Sequence, residues 1–117
     1  MEKEFIPYEQ ALALKELGFD EEVIATYPKD SKDLKLNNVK TTVTIKAILY
    51  QQAFRWFREK YNFHYEIVLN KDRDLPYTYV VDTLKLYLRS PFHKTYEQAE
   101  LECLKKLIEI IKNKKKL

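Results

Sequence analysis

Residues Tyr50 to Tyr61, reading Tyr-Gln-Gln-Ala-Phe-Arg-Trp-Phe-Arg-Glu-Lys-Tyr, hold the densest aromatic content in the chain and constrain its fold more than any other stretch. At about 100° per residue, Tyr50, Ala53, Phe54, Phe57 and Tyr61 fall in one stripe, while Gln51, Arg55, Arg58 and Glu59 lie off it. The spacing predicts a helix with one face in a core. Trp56, the only tryptophan, falls about 120° from the centre of that stripe, next to Ala53 and Lys60. It is either the edge of the core or the start of a contact surface, with Arg55, Arg58 and Lys60 beside it.

Two further helices carry their own start and stop signals. Pro7 suits a first helical position, and Gly18, the only glycine, suits the left-handed residue that closes a helix; together they predict a helix from about Pro7 to Leu17. Phe19 should then touch Leu14, the hydrophobic contact of a Schellman ending. Near the C-terminus, Thr95 to Gln98 reads as a capping box followed at once by an apolar run. Around Cys103, the residues Tyr96, Ala99, Leu104, Leu107, Ile108, Ile110 and Ile111 fill an arc of roughly 200°, so this helix needs contacts on more than one side. Lys114 would fall back inside the arc, which predicts fraying or departure from the body by about Asn113. The phrases Tyr8-Glu9-Gln10-Ala11, Tyr50-Gln51-Gln52-Ala53 and Tyr96-Glu97-Gln98-Ala99 open all three helices. They read as a good helix start used three times, not as a repeat, because the segments between them do not match.

The strands are read from alternation. Val23 to Tyr27 is a short β-favouring run stopped by Pro28, with Leu34 to Leu36 as a possible return strand. Val39 to Lys46 alternates cleanly, with Val39, Thr41, Val43 and Ile45 on one side, and predicts a half-exposed strand with lysines guarding an edge. Phe63 to Leu69 and Tyr77 to Asp82 are two more strands around a polar turn at Asn70 to Asp74, and Leu84 to Leu88 alternates as a third, ended by Ser90-Pro91. The fold class is α+β: an antiparallel sheet of four to six strands with about three helices, the C-terminal helix packed on the sheet. Residues 1–112 are expected to form a single domain, and 113–117 a basic, lysine-rich tail.

Composition narrows the function classes. At 117 residues and 45% hydrophobic content, the chain can bury one core without disulfides. Its single cysteine, Cys103, excludes an internal disulfide, and with no apolar leader the expected setting is cytoplasmic. The net charge of +3 is a property of the end of the chain: residues 105–117 carry six lysines and one glutamate, leaving the remainder slightly acidic. Such a body lacks the overall basic footprint of a protein held on nucleic acid by its whole surface.

Catalytic patterns are weak. His64 and His93 have no cysteine or carboxylate at ligand spacing, so no metal or other cofactor is expected. Cys103 sits on an apolar helix face, where a thiol is normally buried and inert. Glu100 lies inside the same arc and is a candidate for a perturbed acid, but its place in the first turns favours the rim, where it would pair with a basic group or bond a tyrosine. Asp72 and Asp74 share a turn with Lys71 and Arg73, the composition of a solvated loop, and one glycine cannot build a phosphate cradle. An enzyme would require the fold to bring His64 or His93 to a concave site with a carboxylate.

The phrases Phe5 to Asp20, Tyr50 to Tyr61 and Thr95 to Lys112 resemble, in the same order, a group of small uncharacterised proteins of phages and prophage-like regions of Bacteroides-type bacteria. The resemblance covers the three helices and not the strand regions. It implies a phage or mobile-element accessory protein and supplies no catalytic residues.

The resulting expectation is a non-enzymatic protein-interaction module, with another protein as partner, a homodimer possible and no membrane. Its candidate surface is Trp56, Arg55, Arg58 and Lys60 together with exposed sheet tyrosines. The alternative is a nucleic-acid-associated protein that uses the Arg55, Arg58 and Lys60 flank and the lysines Lys112, Lys114, Lys115 and Lys116 as anion contacts.

Overall fold

The computed structural model describes residues 4–23, 25–28, 35–36 and 44–115. Along the chain these form α1 (Tyr8–Glu16), β1 (Ala25–Pro28), β2 (Lys35–Leu36), β3 (Thr44–Ala47), α2 (Tyr50–Tyr61), β4 (His64–Leu69), β5 (Tyr77–Asp82), β6 (Tyr87–Arg89) and α3 (Tyr96–Lys115). The class is α+β as expected, but the strands fall into two antiparallel sheets instead of one, in the orders β2-β1-β3 and β4-β5-β6. The chain divides into two compact units, residues 1–53 and 54–117.

All three helices begin at the tyrosine of their shared phrase, and Ala11, Ala53 and Ala99 are all buried. A small residue in the first turn lets a helix start lie close to whatever covers it. Pro7 is the N-cap of α1, one position earlier than expected, and its carbonyl accepts from the amides of Gln10 and Ala11. At the other end Gly18 has φ 103°, Phe19 N donates to Leu14 O and Gly18 N donates to Lys15 O, both at 3.0 Å. These are the paired bonds of a Schellman ending, and Phe19 and Leu14 are both buried. α1 packs against β3, whose Lys46 Nζ donates to Glu21 O at 2.6 Å. Among the described residues β3 is an outer strand of its sheet, paired with β1 from Ala25↔Ala47 to Pro28↔Thr44. The remainder of the expected Val39 to Lys46 strand, residues 39–43, lies outside the described residues, as do Lys116 and Leu117.

In the second unit α2 ends at Asn62, which adopts φ 59°; Asn tolerates this left-handed conformation better than most residues. β4 and β5 pair in register from His64↔Asp82 to Leu69↔Tyr77, and β5 and β6 from Val80↔Arg89 to Asp82↔Tyr87. α3 lies across β5 and β4. Thr95 Oγ1 accepts from Gln98 N at 3.1 Å, while the Gln98 side chain reaches past Thr95 to accept from Lys94 N, also at 3.1 Å. Ala99, Cys103, Leu104, Leu107, Ile108 and Ile111 are buried along this helix. The helix stays regular through Lys115, so it does not fray by Asn113, while Lys112, Asn113 and Lys114 are all exposed beyond the buried Ile111.

Ser90 fastens the end of β6. Its Oγ accepts from Tyr79 N at 2.9 Å and donates to Pro91 O at 2.7 Å, and Thr78 Oγ1 donates to Ser90 O at 2.8 Å. Thr78 and Ser90 are both buried, and this network satisfies polar groups that would otherwise be costly there.

Candidate functional site

Trp56 is not the exposed anchor that a contact surface needs: it is only 5% exposed. The ring meets Phe57 edge-on at 5.1 Å and Tyr61 edge-on at 5.5 Å, and Lys60 Nζ lies 5.0 Å from its centroid. The buried face of α2 is therefore wider than the predicted stripe. Phe54 stacks on Tyr65 at 3.9 Å on one side, while Trp56 extends the apolar arc on the other. Arg55, Arg58 and Lys60 are exposed, and Arg55 Nε pairs with Glu59 Oε1 at 3.4 Å. Of the tyrosines in β4, β5 and β6, Tyr79 is buried, Tyr65 and Tyr77 are half-buried, and Tyr87 is open to solvent.

The expected strand Leu84 to Leu88 is also corrected. β6 starts at Tyr87, and Thr83 to Leu86 form a tight turn in which Thr83 N donates to Leu86 O at 2.8 Å. Thr83 Oγ1 accepts from Leu86 N at 2.9 Å and from Lys85 N at 3.2 Å. A threonine hydroxyl that binds the amides two and three residues on competes with ladder pairing and favours a turn. The result is a fixed hairpin tip that presents apolar side chains: Leu84 is 85% exposed, Tyr87 68% and Leu86 40%. This cluster was missed by alternation. Loop length could have found it, because a strand starting at Leu84 leaves Thr83 alone to connect two antiparallel strands, and the shortest common hairpin loops have two residues.

The edge beside this tip is also open. Ser90 N donates to Tyr79 O and Thr83 N donates to Leu86 O, which places Tyr79/Ser90 and Thr83/Leu86 at hydrogen-bonded positions of the ladder. Alternation then makes Val81/Leu88 a hydrogen-bonded pair and leaves Tyr87 and Arg89 at non-hydrogen-bonded positions, with their N–H and C=O groups directed away from β5. β6 is the outer strand of its sheet among the described residues.

His93 does reach a concave site with carboxylates. A cavity of about 420 Å³ is lined by Tyr79, His93, Glu102, Lys105, Lys106 and Glu109 among others. The imidazole stacks on Tyr79, with ring centroids 6.1 Å apart, and its buried Nδ1 has no hydrogen-bond partner. The carboxylates are matched by lysines three residues away. Glu109 Oε1 lies 3.5 Å from Lys106 Nζ, and Glu102 Oε2 lies 3.3 Å from Lys105 Nζ, within ion-pair range but without accepting a hydrogen bond. The geometry can hold a polar group beside His93. A smaller cavity, about 220 Å³, lies in the first unit between Lys15, Phe19, Asp20 and Lys46. His64 is exposed, with Nε2 2.9 Å from Asn62 Oδ1.

Two groups on α3 are displaced from their ordinary titration. Burial, with Glu97 second, pushes the Glu100 carboxyl up to about 7, so it is half-ionised near neutral pH. Burial and then Glu100 push the Cys103 thiol up to about 12, which removes it as a nucleophile. Among the described residues no group of three or more His, Cys, Asp or Glu side chains is placed to hold a metal ion, and no helix is long and apolar enough to cross a membrane. No protein-family model, curated protein or solved structure matches the chain.

Proposed function

We propose that the chain is a non-enzymatic phage or mobile-element accessory protein that binds another protein through the β5–β6 hairpin. The observation that carries this reading is the presentation of Leu84, Leu86 and Tyr87 on a turn whose backbone is held by Thr83. Exposed apolar side chains scattered singly are ordinary, whereas a cluster of three on a rigid tip beside an open strand edge has the composition of a binding patch. Rigidity matters because a surface already ordered loses little entropy when it is covered. The resemblance of the three helices to phage-associated proteins supplies the setting, and Trp56 is withdrawn from the contact surface.

The nucleic-acid alternative receives less support from the same geometry. Trp56 is buried and offers no stacking platform beside Arg58 and Lys60, and Arg55 is paired with Glu59. Oligonucleotide binding that falls steeply with salt and weakens when residues 112–117 are removed would restore it.

The test is site-specific photo-cross-linking in producing cells, with a benzophenone side chain at Leu84 and, as a control, at the exposed Lys71. Protein adducts at Leu84 that are absent at Lys71 are the expected result. Equal labelling at the two positions would remove the hairpin as a binding surface.

A further inference from the structure

The open edge of β6 is self-complementary, and we infer that two copies of this chain pair through it, antiparallel and centred on Leu88. The inference rests on the hairpin being an interaction surface and names the occupant of its edge. Tyr87 and Arg89 direct their backbone groups outward, so an incoming strand must offer hydrogen-bonding positions at the same two-residue spacing. A second β6 does so. With Leu88 opposite Leu88 of the second copy, Tyr87 stands opposite Arg89 of that copy, the two exchange both backbone bonds, and the two-fold axis repeats the exchange.

The side chains fit the same register. Directly opposed residues share a sheet face, so Tyr87 and Arg89 of the two copies meet on the face that also carries Asp82 and Val80. There a guanidinium lies beside a phenol ring, a favourable pair, and no like charges are opposed across the junction. On the other face, the one bearing Val81, Leu88 meets Leu88. One step further along the register brings Lys85 opposite Pro91, which has no N–H to donate, so the ladder closes there. The two-fold axis is perpendicular to the sheet. It joins both three-stranded sheets into one and keeps both copies of α3 on the same side.

The experiment is sedimentation equilibrium of the full chain over a concentration series, on the wild type and three hairpin forms. Because Tyr87 is largely exposed, its substitution leaves the fold intact, which far-UV circular dichroism verifies. Tyr87→Arg opposes two arginines across each half of the junction and is expected to weaken dimerisation by about tenfold or more. Adding Arg89→Glu to Tyr87→Arg replaces that repulsion with an ion pair and should restore the dimer. Tyr87→Glu, which faces the native Arg89, should stay dimeric. A wild-type chain that remains monomeric to about 200 µM, well above the range of a specific complex, overturns the inference. So does a dimer that Tyr87→Arg leaves unchanged. The two proposals fail separately: adducts at Leu84 with other proteins from a monomeric chain would retire the dimer and keep the binding function, whereas no adducts and no dimer would retire both.

Discussion

The segment of α2 around Trp56 and the hairpin around Tyr87 have nearly the same chemistry, an aromatic ring with basic side chains beside it, and opposite exposure. On the helix, neighbours about one turn away lie over the ring: Tyr61 meets Trp56 edge-on and Lys60 Nζ lies over it. At the end of an outer strand, ladder pairing covers only one side: the turn at Thr83 carries Leu84 clear of the sheet, and Tyr87, the first residue of β6, stays exposed on it. Exposure here follows from the element that carries the aromatic residue, and its basic neighbours are a poor guide. Lysine stems cover apolar surface as readily as they mark a contact site.

The largest effect that would break this comparison is on stability. Trp56→Ala should cost about 3–5 kcal/mol in chemical denaturation, the range for emptying a buried aromatic site. Tyr87→Ala should cost about 0.5 kcal/mol, as expected of an exposed residue. Equal costs would mean that both rings belong to the core. Next comes the fastening of the hairpin. Ser90→Ala removes the acceptor of Tyr79 N and leaves a buried amide unpaired, at about 1–3 kcal/mol, again read by denaturation. A smaller loss would show that the Ser90 network is not what fixes β6.

Helix boundaries were legible in the sequence because their signals are local. The three tyrosine phrases mark the first helical residues, and Gly18 and Phe19 form the expected ending, since each bond spans five residues or fewer. β5 was read to the residue for a related reason: Tyr77 to Asp82 is bounded by turn chemistry on both sides. The division of the described strands between two sheets was not legible, because pairing depends on contacts distant in sequence and alternation says nothing about which strand is the neighbour. At the site, periodicity placed Trp56 beside the core stripe without fixing how wide the buried arc is. At Leu84 to Leu88, alternation of leucine with polar residues imitated a strand where a threonine side chain had already claimed the amides. The position of Glu100 within the apolar arc of α3 raised a perturbed acid only as the lesser reading, behind a place at the rim; burial nevertheless pushes its carboxyl up to about 7.

Glu100 provides an intermediate case between the buried ring and the exposed one. In the folded chain its carboxyl holds a proton up to about pH 7, whereas an unperturbed Glu carboxyl titrates near 4.5. Between those values the folded state binds more protons, so stability contributed by this group falls as pH rises from 4.5 to 7 and the penalty is complete above that window. Glu100→Gln removes the titration. It should leave stability at pH 4 nearly unchanged and raise it at pH 8 by about 1 kcal/mol, a value discounted because the side chain is partly exposed to solvent. Thermal melts at both pH values measure the difference, and an equal gain at the two would assign the effect to packing instead of ionisation.

The smallest expected change in stability is the most informative about function. Leu84 is held away from the sheet by a turn whose bonds come from the backbone and from Thr83, so its side chain contributes almost nothing to folding. Leu84→Ser should therefore shift the denaturation midpoint by no more than about 0.5 kcal/mol. If the hairpin binds protein, the same substitution, with the photo-reactive side chain moved to Tyr87, should sharply reduce the adducts formed there, because truncating an apolar anchor costs binding energy that folding never used. A stability change near that of Trp56→Ala would show that Leu84 is sheltered by something other than solvent. Unchanged adducts with unchanged stability would place the binding energy elsewhere on the edge, in the backbone of β6 and the Arg89 side chain.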